Sequence, residues 1–141
     1  MKVKIKRLNS EVKLPNYANP GDAGMDFFSA ENVIINSGER KTVKTGISMA
    51  IPVGFVGLFW DKSGLVSKKG IKTMAGVIDS GYRGEICVVL YNLSDKDFKI
   101  EKNMRIAQML FQPFKRANIE IVEKLSKTQR DENGFGSTGL K

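Results

Sequence analysis

Apolar and polar residues alternate with a period of two in three parts of the chain. The apolar positions of these stretches are Val3 and Ile5, then Ile47, Met49 and Ile51, and finally Ile119 and Ile121. Because successive side chains of a strand point to opposite faces, each stretch predicts a half-buried β-strand.

Continuous apolar runs at 55–60, 86–90 and 105–111 predict further strands, and turn-forming residues at 36–38 and 92–95 separate such segments. The one helix that the pattern predicts is a turn or two at about 64–69. Many short strands joined by turns are typical of a β-sandwich or β-barrel, so we expect an all-β fold.

The chain has the size of one domain: 141 residues, of which 41% are hydrophobic, are enough to bury a core. No apolar stretch is long enough for a transmembrane helix, and the alternating N-terminus is unlike a signal peptide, so we expect a soluble protein without a membrane partner. The single cysteine, Cys87, lies in an apolar run, where we expect it to pack as a small hydrophobic residue.

The charged residues limit the possible chemistry. Histidine is absent, so any acid–base catalysis has to use carboxylates. The net charge of +8 favours an anionic partner, either a nucleotide or a nucleic acid. The lysines are scattered in short groups, which is typical of a solvated surface, and we therefore predict no nucleic-acid partner.

A mid-chain segment places Asp79 between the apolar pair Val77 and Ile78 and the turn formers Ser80 and Gly81. A carboxylate in this position, partly desolvated by its apolar neighbours, is suited to take a proton from water. An aspartate before Ser-Gly is equally an ordinary turn residue that bonds its own backbone. The residues alone leave both interpretations open.

The last twelve residues, 130–141, combine glycines with an arginine, an aromatic ring and two hydroxyls. Glycine lets backbone N–H groups converge on an anion, so such a tail is suited to wrapping a phosphate-bearing ligand. The alternative is a frayed, solvated chain end.

Taken together, these segments resemble the trimeric dUTPase family over nearly the whole chain. Five motifs occur in the family's order, at residues 22–27, 62–65, 76–84, 105–109 and 130–141. The resemblance implies a jelly-roll β-sandwich or barrel core at 1–124 and a flexible glycine-rich arm at 125–141 that acts as a lid. It also implies a cytoplasmic homotrimer (host intracellular if viral) with active sites shared between chains.

The implied activity is hydrolysis of dUTP to dUMP and pyrophosphate, which limits uracil entry into DNA and supplies dUMP for thymidylate synthesis. By resemblance Asp79 activates the water that attacks the α-phosphorus, and Tyr82 lies under the deoxyribose and excludes a 2′-hydroxyl. Asp26 steadies the second motif, although the residues alone also allow it merely to open a strand. Mg²⁺ is implied as the cofactor, held by the triphosphate and water with no protein ligand.

The remaining implied positions contact the substrate. Uracil docks on the backbone of a β-hairpin at about 73–77. The substrate-binding residues implied by the resemblance are Lys62, Ser63, Gly64, Gly76, Val77, Tyr82 and Gln108 in the core, and Arg130, Phe135, Gly136, Ser137 and Thr138 in the arm.

Two positions depart from the family pattern. Lys62 replaces the usual arginine and offers no planar fork for bidentate contacts to phosphate or to Asp26, and Gly81 replaces an acidic residue before Tyr82. Arg105 is either an ion-pair partner or a phosphate ligand.

Two rival functions remain at this point. A dCTP deaminase needs a glutamate on the strand after the third motif, where this chain has Val89. The second rival function is that of a non-catalytic module that binds a nucleotide or a protein.

Overall fold

The computed structural model describes residues 1–134, which are almost entirely β-structure with one short helix. The elements in chain order are β1 (Lys4–Arg7), β2 (Met25–Phe28), β3 (Val33–Ile35), β4 (Arg40–Lys44), β5 (Ile47–Ala50), β6 (Phe55–Trp60), α1 (Ser63–Lys69), β7 (Ile71–Met74), β8 (Val77–Ile78), β9 (Cys87–Asn92), β10 (Phe98–Ile100) and β11 (Arg105–Pro113).

The strands form four antiparallel sheets with a jelly-roll arrangement. The largest sheet has the order β2-β11-β6-β8, and a second sheet has the order β4-β9-β7. Two-stranded sheets are formed by β1 with β5 and by β3 with β10. The predicted all-β jelly-roll class is therefore confirmed.

One apolar core lies between these sheets. In β9, which pairs with β4 on one side and β7 on the other, every second side chain is buried, including Val88 and Leu90. Successive side chains of a strand point to opposite faces, and one face of β9 packs on the core. Phe27 of β2 packs edge-on against Phe59 of β6 with ring centroids 4.8 Å apart. Burial of an aromatic side chain of this size stabilises the fold by roughly 1.5–3 kcal/mol.

The predicted turn at 92–95 is organised by the buried side chain of Asn92. Its Nδ2 donates to the backbone oxygens of Ile35 and Lys96, at 2.9 Å and 2.8 Å, and its Oδ1 accepts from Ser94. The helix α1 ends at Gly70, whose φ of 67° is in the left-handed region that favours glycine.

Several predicted elements are confirmed, namely the helix near 64–69 and strands at 47–50, 55–60, 86–90 and 105–111. The expected half-burial of the strand at 47–50 is wrong, because Ser48 between Ile47 and Met49 is buried as well. The predicted strand around Ile119 and Ile121 is wrong. Both side chains are more than 90% exposed, and no strand of the described chain lies beside them to complete a sheet.

The predicted hairpin at about 73–77 is also wrong within one chain, because β7 and β8 do not pair with each other. Thr73 of β7 lies opposite Leu90 of β9, whereas Val77 of β8 lies opposite Leu58 of β6. The chain changes sheet between them through Ala75 and Gly76, which have φ of 60° and 132°. This segment, 75–76, is called the corner below.

Across residues 1–134, none of the helical structure has the length and apolar character needed to cross a membrane.

Candidate active site

A cleft of about 500 Å³, the Asp26 cleft, opens where three neighbouring strands of the largest sheet meet. Gln108 of β11 lies opposite Asp26 of β2 and opposite Trp60 at the end of β6, so the sheet register brings three sequence motifs together. The lining residues are Asp22, Ala23, Gly24, Asp26, Trp60, Asp61, Lys62, Gln108 and Leu110.

Asp26 is 2% exposed and is held by two cations. Its Oδ1 accepts from Lys62 Nζ at 2.6 Å, and its Oδ2 accepts from Arg105 Nε at 2.7 Å. A buried carboxylate is stable only when it is paired in this way. The first, second and fourth motifs are therefore joined at one buried charge.

Gln108 is positioned by the backbone on both sides. Its Nε2 donates to the carbonyl oxygen of Asp61 at 2.8 Å. Its Oε1 lies over Gly24, where an added Cβ would overlap the amide group. Glycine at position 24 is therefore required by the packing of Gln108, which explains one glycine of the first motif.

Asp61 holds the end of β6 to the neighbouring strand β7. Its Oδ1 accepts from both the N–H and the hydroxyl of Thr73, each at 2.6 Å, and its Oδ2 accepts from Lys72 Nζ at 2.8 Å. Burial raises the pKa of the Asp61 carboxyl, but the hydrogen bonds from Lys72 and Thr73 outweigh it and hold the pKa below its usual value.

Ser63 and Gly64 are the first two residues of α1, and both are exposed beside the Asp26 cleft, directly after Lys62. The backbone oxygen of Lys62 accepts from the N–H groups of Leu65 and Val66, at 2.9 Å and 3.1 Å, which fixes the first turn.

A second cleft of about 410 Å³, the Asp79 cleft, contains the third motif. Its lining residues are Thr42, Val77, Ile78, Asp79, Tyr82, Glu85 and Cys87. Cys87 is half-buried, and burial, together with the nearby charge of Glu85, raises the pKa of its thiol.

The third motif folds as a compact turn around Tyr82. The backbone oxygen of Asp79 accepts from Tyr82 N–H at 3.1 Å, and Arg83 Nη1 donates to the oxygens of Ser80 and Tyr82, both at 2.7 Å. The Tyr82 hydroxyl donates to the Glu85 oxygen at 2.9 Å, and a Cβ at Gly84 would overlap the tyrosine ring. The tyrosine thus has a defined place at the rim of the cleft, with 45% of its surface exposed.

Asp79 comes directly after β8, where the strand meets this turn, as predicted. Its side chain is exposed in the single chain, so the expected partial desolvation is wrong for this state of the protein. The reason is that Val77, one of its apolar neighbours, is itself 66% exposed.

The two clefts lie towards opposite ends of β6. Ile78 is opposite Gly57, and the antiparallel register carries Asp79 further away from Trp60, beside which the Asp26 cleft opens. Gly57 and Trp60 alone are about 10 Å apart along a strand that rises roughly 3.3 Å per residue. A single chain therefore does not bring Asp79 next to Lys62 and Gln108.

The arm is only partly described. Arg130 donates from Nε to the Asn133 oxygen at 3.0 Å and is exposed. The predicted contacts of Phe135, Gly136, Ser137 and Thr138 lie outside the described residues.

Three residues that line the Asp26 cleft were missed by the sequence analysis, namely Trp60, Asp61 and Leu110. The sequence did point to Asp61, because it stands directly before Lys62, the position that departs from the family pattern.

The comparisons with known proteins cover almost the whole chain. The family model described as dUTPase matches residues 10–139. Deoxyuridine 5'-triphosphate nucleotidohydrolase of Clostridium tetani is 48% identical over 97% of this chain and 96% of its own length, and the Clostridioides difficile protein of the same name is 45% identical over 98% of both chains. A mutant dUTPase of Staphylococcus bacteriophage 80alpha with dUpNHpp superposes with a TM-score of 0.92 at 30% identity, covering 99% of both chains.

Proposed function

The chain belongs to the dUTPase family and is a dUTP diphosphatase, and we propose that it releases dUMP and pyrophosphate by attack of water on the α-phosphorus of dUTP. The observation that supports this mechanism best is the Asp26 cleft, in which Lys62 and Gln108 stand beside the exposed start of α1. The Lys62 ammonium and the Ser63 hydroxyl are donors that suit a chain of phosphates, and Gln108 acts through water.

The phosphate chain lies in the Asp26 cleft in this proposal. Lys62, Ser63 and Gly64 supply charge and donors, while Gln108 acts through water. Asp26 does not touch the substrate but holds Lys62 in place through the 2.6 Å ion pair. Phosphoryl transfer depends mainly on positioning and on neutralising charge, which is what these groups provide.

Asp79 is the general base in this proposal, and Tyr82 selects the sugar. The Asp79 carboxylate takes a proton from the attacking water. The ring of Tyr82, fixed by its hydroxyl contact to Glu85, lies under the deoxyribose and leaves no space for a 2′-hydroxyl. Gly76 in the corner and Val77 at the start of β8 read the uracil edge with their backbone groups.

Mg²⁺ enters with the substrate, chelated by the triphosphate. Two of the three carboxylates that line the Asp26 cleft have both oxygens engaged by protein donors: Asp26 by Lys62 and Arg105, and Asp61 by Lys72 and Thr73. The third, Asp22, accepts from Asn19 at Oδ2. Their occupied oxygens do not suit a cage for a hard cation, which needs several free oxygen ligands.

Each active site is shared between chains of a homotrimer. The separation of the two clefts along β6 supports this arrangement, because a neighbouring chain has to supply the Asp79 cleft that faces a given Asp26 cleft. A further support is the exposed apolar segment after β11, which includes Phe114, Ile119, Ile121 and Leu125. Exposed apolar residues in this number are typical of a protein interface.

Residues 125–141 form an arm that closes over the bound nucleotide. Phe135 stacks on uracil, and Arg130, Gly136, Ser137 and Thr138 contact the outer phosphates. Ordering a glycine-rich segment is costly, so closure depends on the contacts that the triphosphate offers. The reaction lowers dUTP, which limits uracil entry into DNA, and yields dUMP for thymidylate synthesis.

A panel of nucleotides with Mg²⁺ tests this function. We expect dUTP to give dUMP and pyrophosphate, with UTP hydrolysed about a hundredfold more slowly, because a pocket that rejects an added hydroxyl discriminates by about this factor, or about 2.7 kcal/mol. Release of orthophosphate with dUDP would contradict attack at the α-phosphorus. Deamination of dCTP would favour the rival deaminase, and binding of dUTP without turnover would favour a non-catalytic module.

A further inference from the structure

Asp61 connects three strands that belong to two different sheets. It follows β6, its carboxylate accepts from Lys72 and Thr73 of β7, and its backbone oxygen accepts from Gln108 of β11. The strands β6 and β11 lie in the largest sheet, whereas β7 lies in the sheet with β4 and β9. Asp61 therefore connects Gln108, which lines the Asp26 cleft, with β7, which leads through the corner towards the Asp79 cleft.

On the side of the Asp26 cleft, Asp61 determines the orientation of the side-chain amide of Gln108. Because Nε2 donates to the Asp61 oxygen, the amide is turned so that Oε1 lies over Gly24, which lines the Asp26 cleft. An oxygen acceptor next to a triphosphate requires an intervening water that donates to both groups. Asp61 also precedes Lys62, so its position sets the direction from which Lys62 reaches Asp26.

On the other side, Asp61 fixes the start of the corner that leads to β8. Thr73 is held through both its N–H and its hydroxyl. The far end of the corner is held by β6 as well, since Phe59 N–H donates to the Gly76 oxygen at 2.9 Å. The corner is therefore held near its start by Asp61, the residue after β6, and at its far end by Phe59 of β6.

We propose that Asp61 is a positioning residue for dUTP binding. It fixes the position of Gln108, which contacts the phosphates through water, relative to the corner, which reads the base. This inference rests on the proposed function. Asp61 itself does not touch the reacting atoms. The Asp61 side chain is 25% exposed, and although burial raises the pKa of its carboxyl, the hydrogen bonds from Lys72 and Thr73 hold the pKa below its usual value.

The test is Asp61→Asn in the full-length protein. The amide keeps one oxygen for Thr73 but turns an NH₂ group towards the Lys72 ammonium. Groups that hold the substrate equally in the ground and transition states affect KM, so we expect KM for dUTP to rise about tenfold while kcat stays within about threefold.

A matched control is Asp97→Asn, which changes another aspartate that accepts a backbone N–H, that of Ser37 at 3.1 Å, away from both clefts. We expect its KM to equal that of the wild type. If Asp61→Asn shows the same KM as this control, or loses kcat at unchanged KM, the inference is wrong.

Folding is checked by circular dichroism, and a second variant covers the case in which Asp61→Asn does not fold. The double variant Lys72→Met, Thr73→Val leaves Asp61 in place and removes its two side-chain partners. A raised KM in this variant supports the inference, and an unchanged KM overturns it. Failure of the wild type to hydrolyse dUTP would instead contradict the proposed function, so the two failures are distinguishable.

Discussion

At the scale of single residues, Lys62 stands where the family resemblance implies an arginine, and it shares the Asp26 carboxylate with a second cation. Lysine offers one nitrogen where arginine offers a planar fork, so it engages only Oδ1 of Asp26. Arg105 takes Oδ2 through Nε, with 50% of its side chain exposed. This contact supports the ion-pair interpretation of Arg105, and both oxygens of the buried carboxylate are paired.

Asp79→Asn is the residue-scale test of the mechanism. The amide keeps the size of the side chain and leaves the turn intact, since the turn uses the backbone oxygen of Asp79. It cannot accept a proton from water, so we expect kcat to fall by roughly a hundredfold or more while KM changes little. Steady-state kinetics with dUTP measure both constants.

The control for this change is Asp95→Asn, which alters an exposed turn aspartate that lines neither cleft. Its kinetics should match the wild type. A near-normal rate for Asp79→Asn would mean that Asp79 is only a turn residue, and another base would have to be sought.

At the scale of elements, β6 organises the site. One end of β6 leads through Asp61 and Lys62 into α1, and its middle pairs with β8, which leads to Asp79. The chain after β11 has a different character, because residues 112–133 are all exposed and contain no further strand. The core is therefore independent of the arm within one chain.

Removal of residues 130–141 tests the role of the arm. Since the buried core consists of residues before Pro113, we expect the truncated protein to keep its β-structure and thermal unfolding temperature. Without the groups that close over the nucleotide, kcat/KM should fall by roughly a hundredfold or more. Kinetics and circular dichroism on the same preparation give both results.

A chain lacking only Leu140 and Lys141, which lie beyond the residues assigned to substrate binding, is the matched control and should remain active. If the longer truncation is folded and hydrolyses dUTP normally, the glycine-rich end is not a lid.

At the scale of the whole molecule, the two clefts of one chain belong to two different active sites in the proposed trimer. This arrangement makes a quantitative prediction for mixtures of variants. Chains with Asp79→Asn keep an intact Asp26 cleft, and chains with Lys62→Ala keep an intact Asp79 cleft. Each variant alone should be largely inactive.

After the two variants exchange subunits at equal concentration, about a quarter of the sites should contain only intact clefts, by random pairing around a closed ring. We expect about a quarter of the wild-type rate from such a mixture, and a mass of three times the 15.7 kDa chain in sedimentation. Parent variants carried separately through the same exchange procedure are the controls. No gain in activity after demonstrated exchange would show that each site lies within one chain.

The sequence by itself determined the fold class and the residues of each motif. Alternation in β5, the apolar runs of β6 and β9 and the glycine at the end of α1 are local signals, since side-chain direction and backbone freedom depend on neighbouring residues. The motif order was equally visible without a structure, because it requires no knowledge of which segments meet.

The family resemblance implied that Asp26 meets the second motif, but only the tertiary structure decided that Lys62 and Arg105 share its two oxygens and that Asp79 lies apart. The pairing of Asp26 with both Lys62 and Arg105 depends on the register of β2, β11 and β6, and the separation of Asp79 depends on where β8 joins β6. Such pairings connect residues far apart in the chain, so no local pattern encodes them. The prediction of a strand at Ile119 and Ile121 was wrong for the same reason. Alternation shows that a segment can pair, but a strand forms only where another strand lies beside it, and these side chains are exposed.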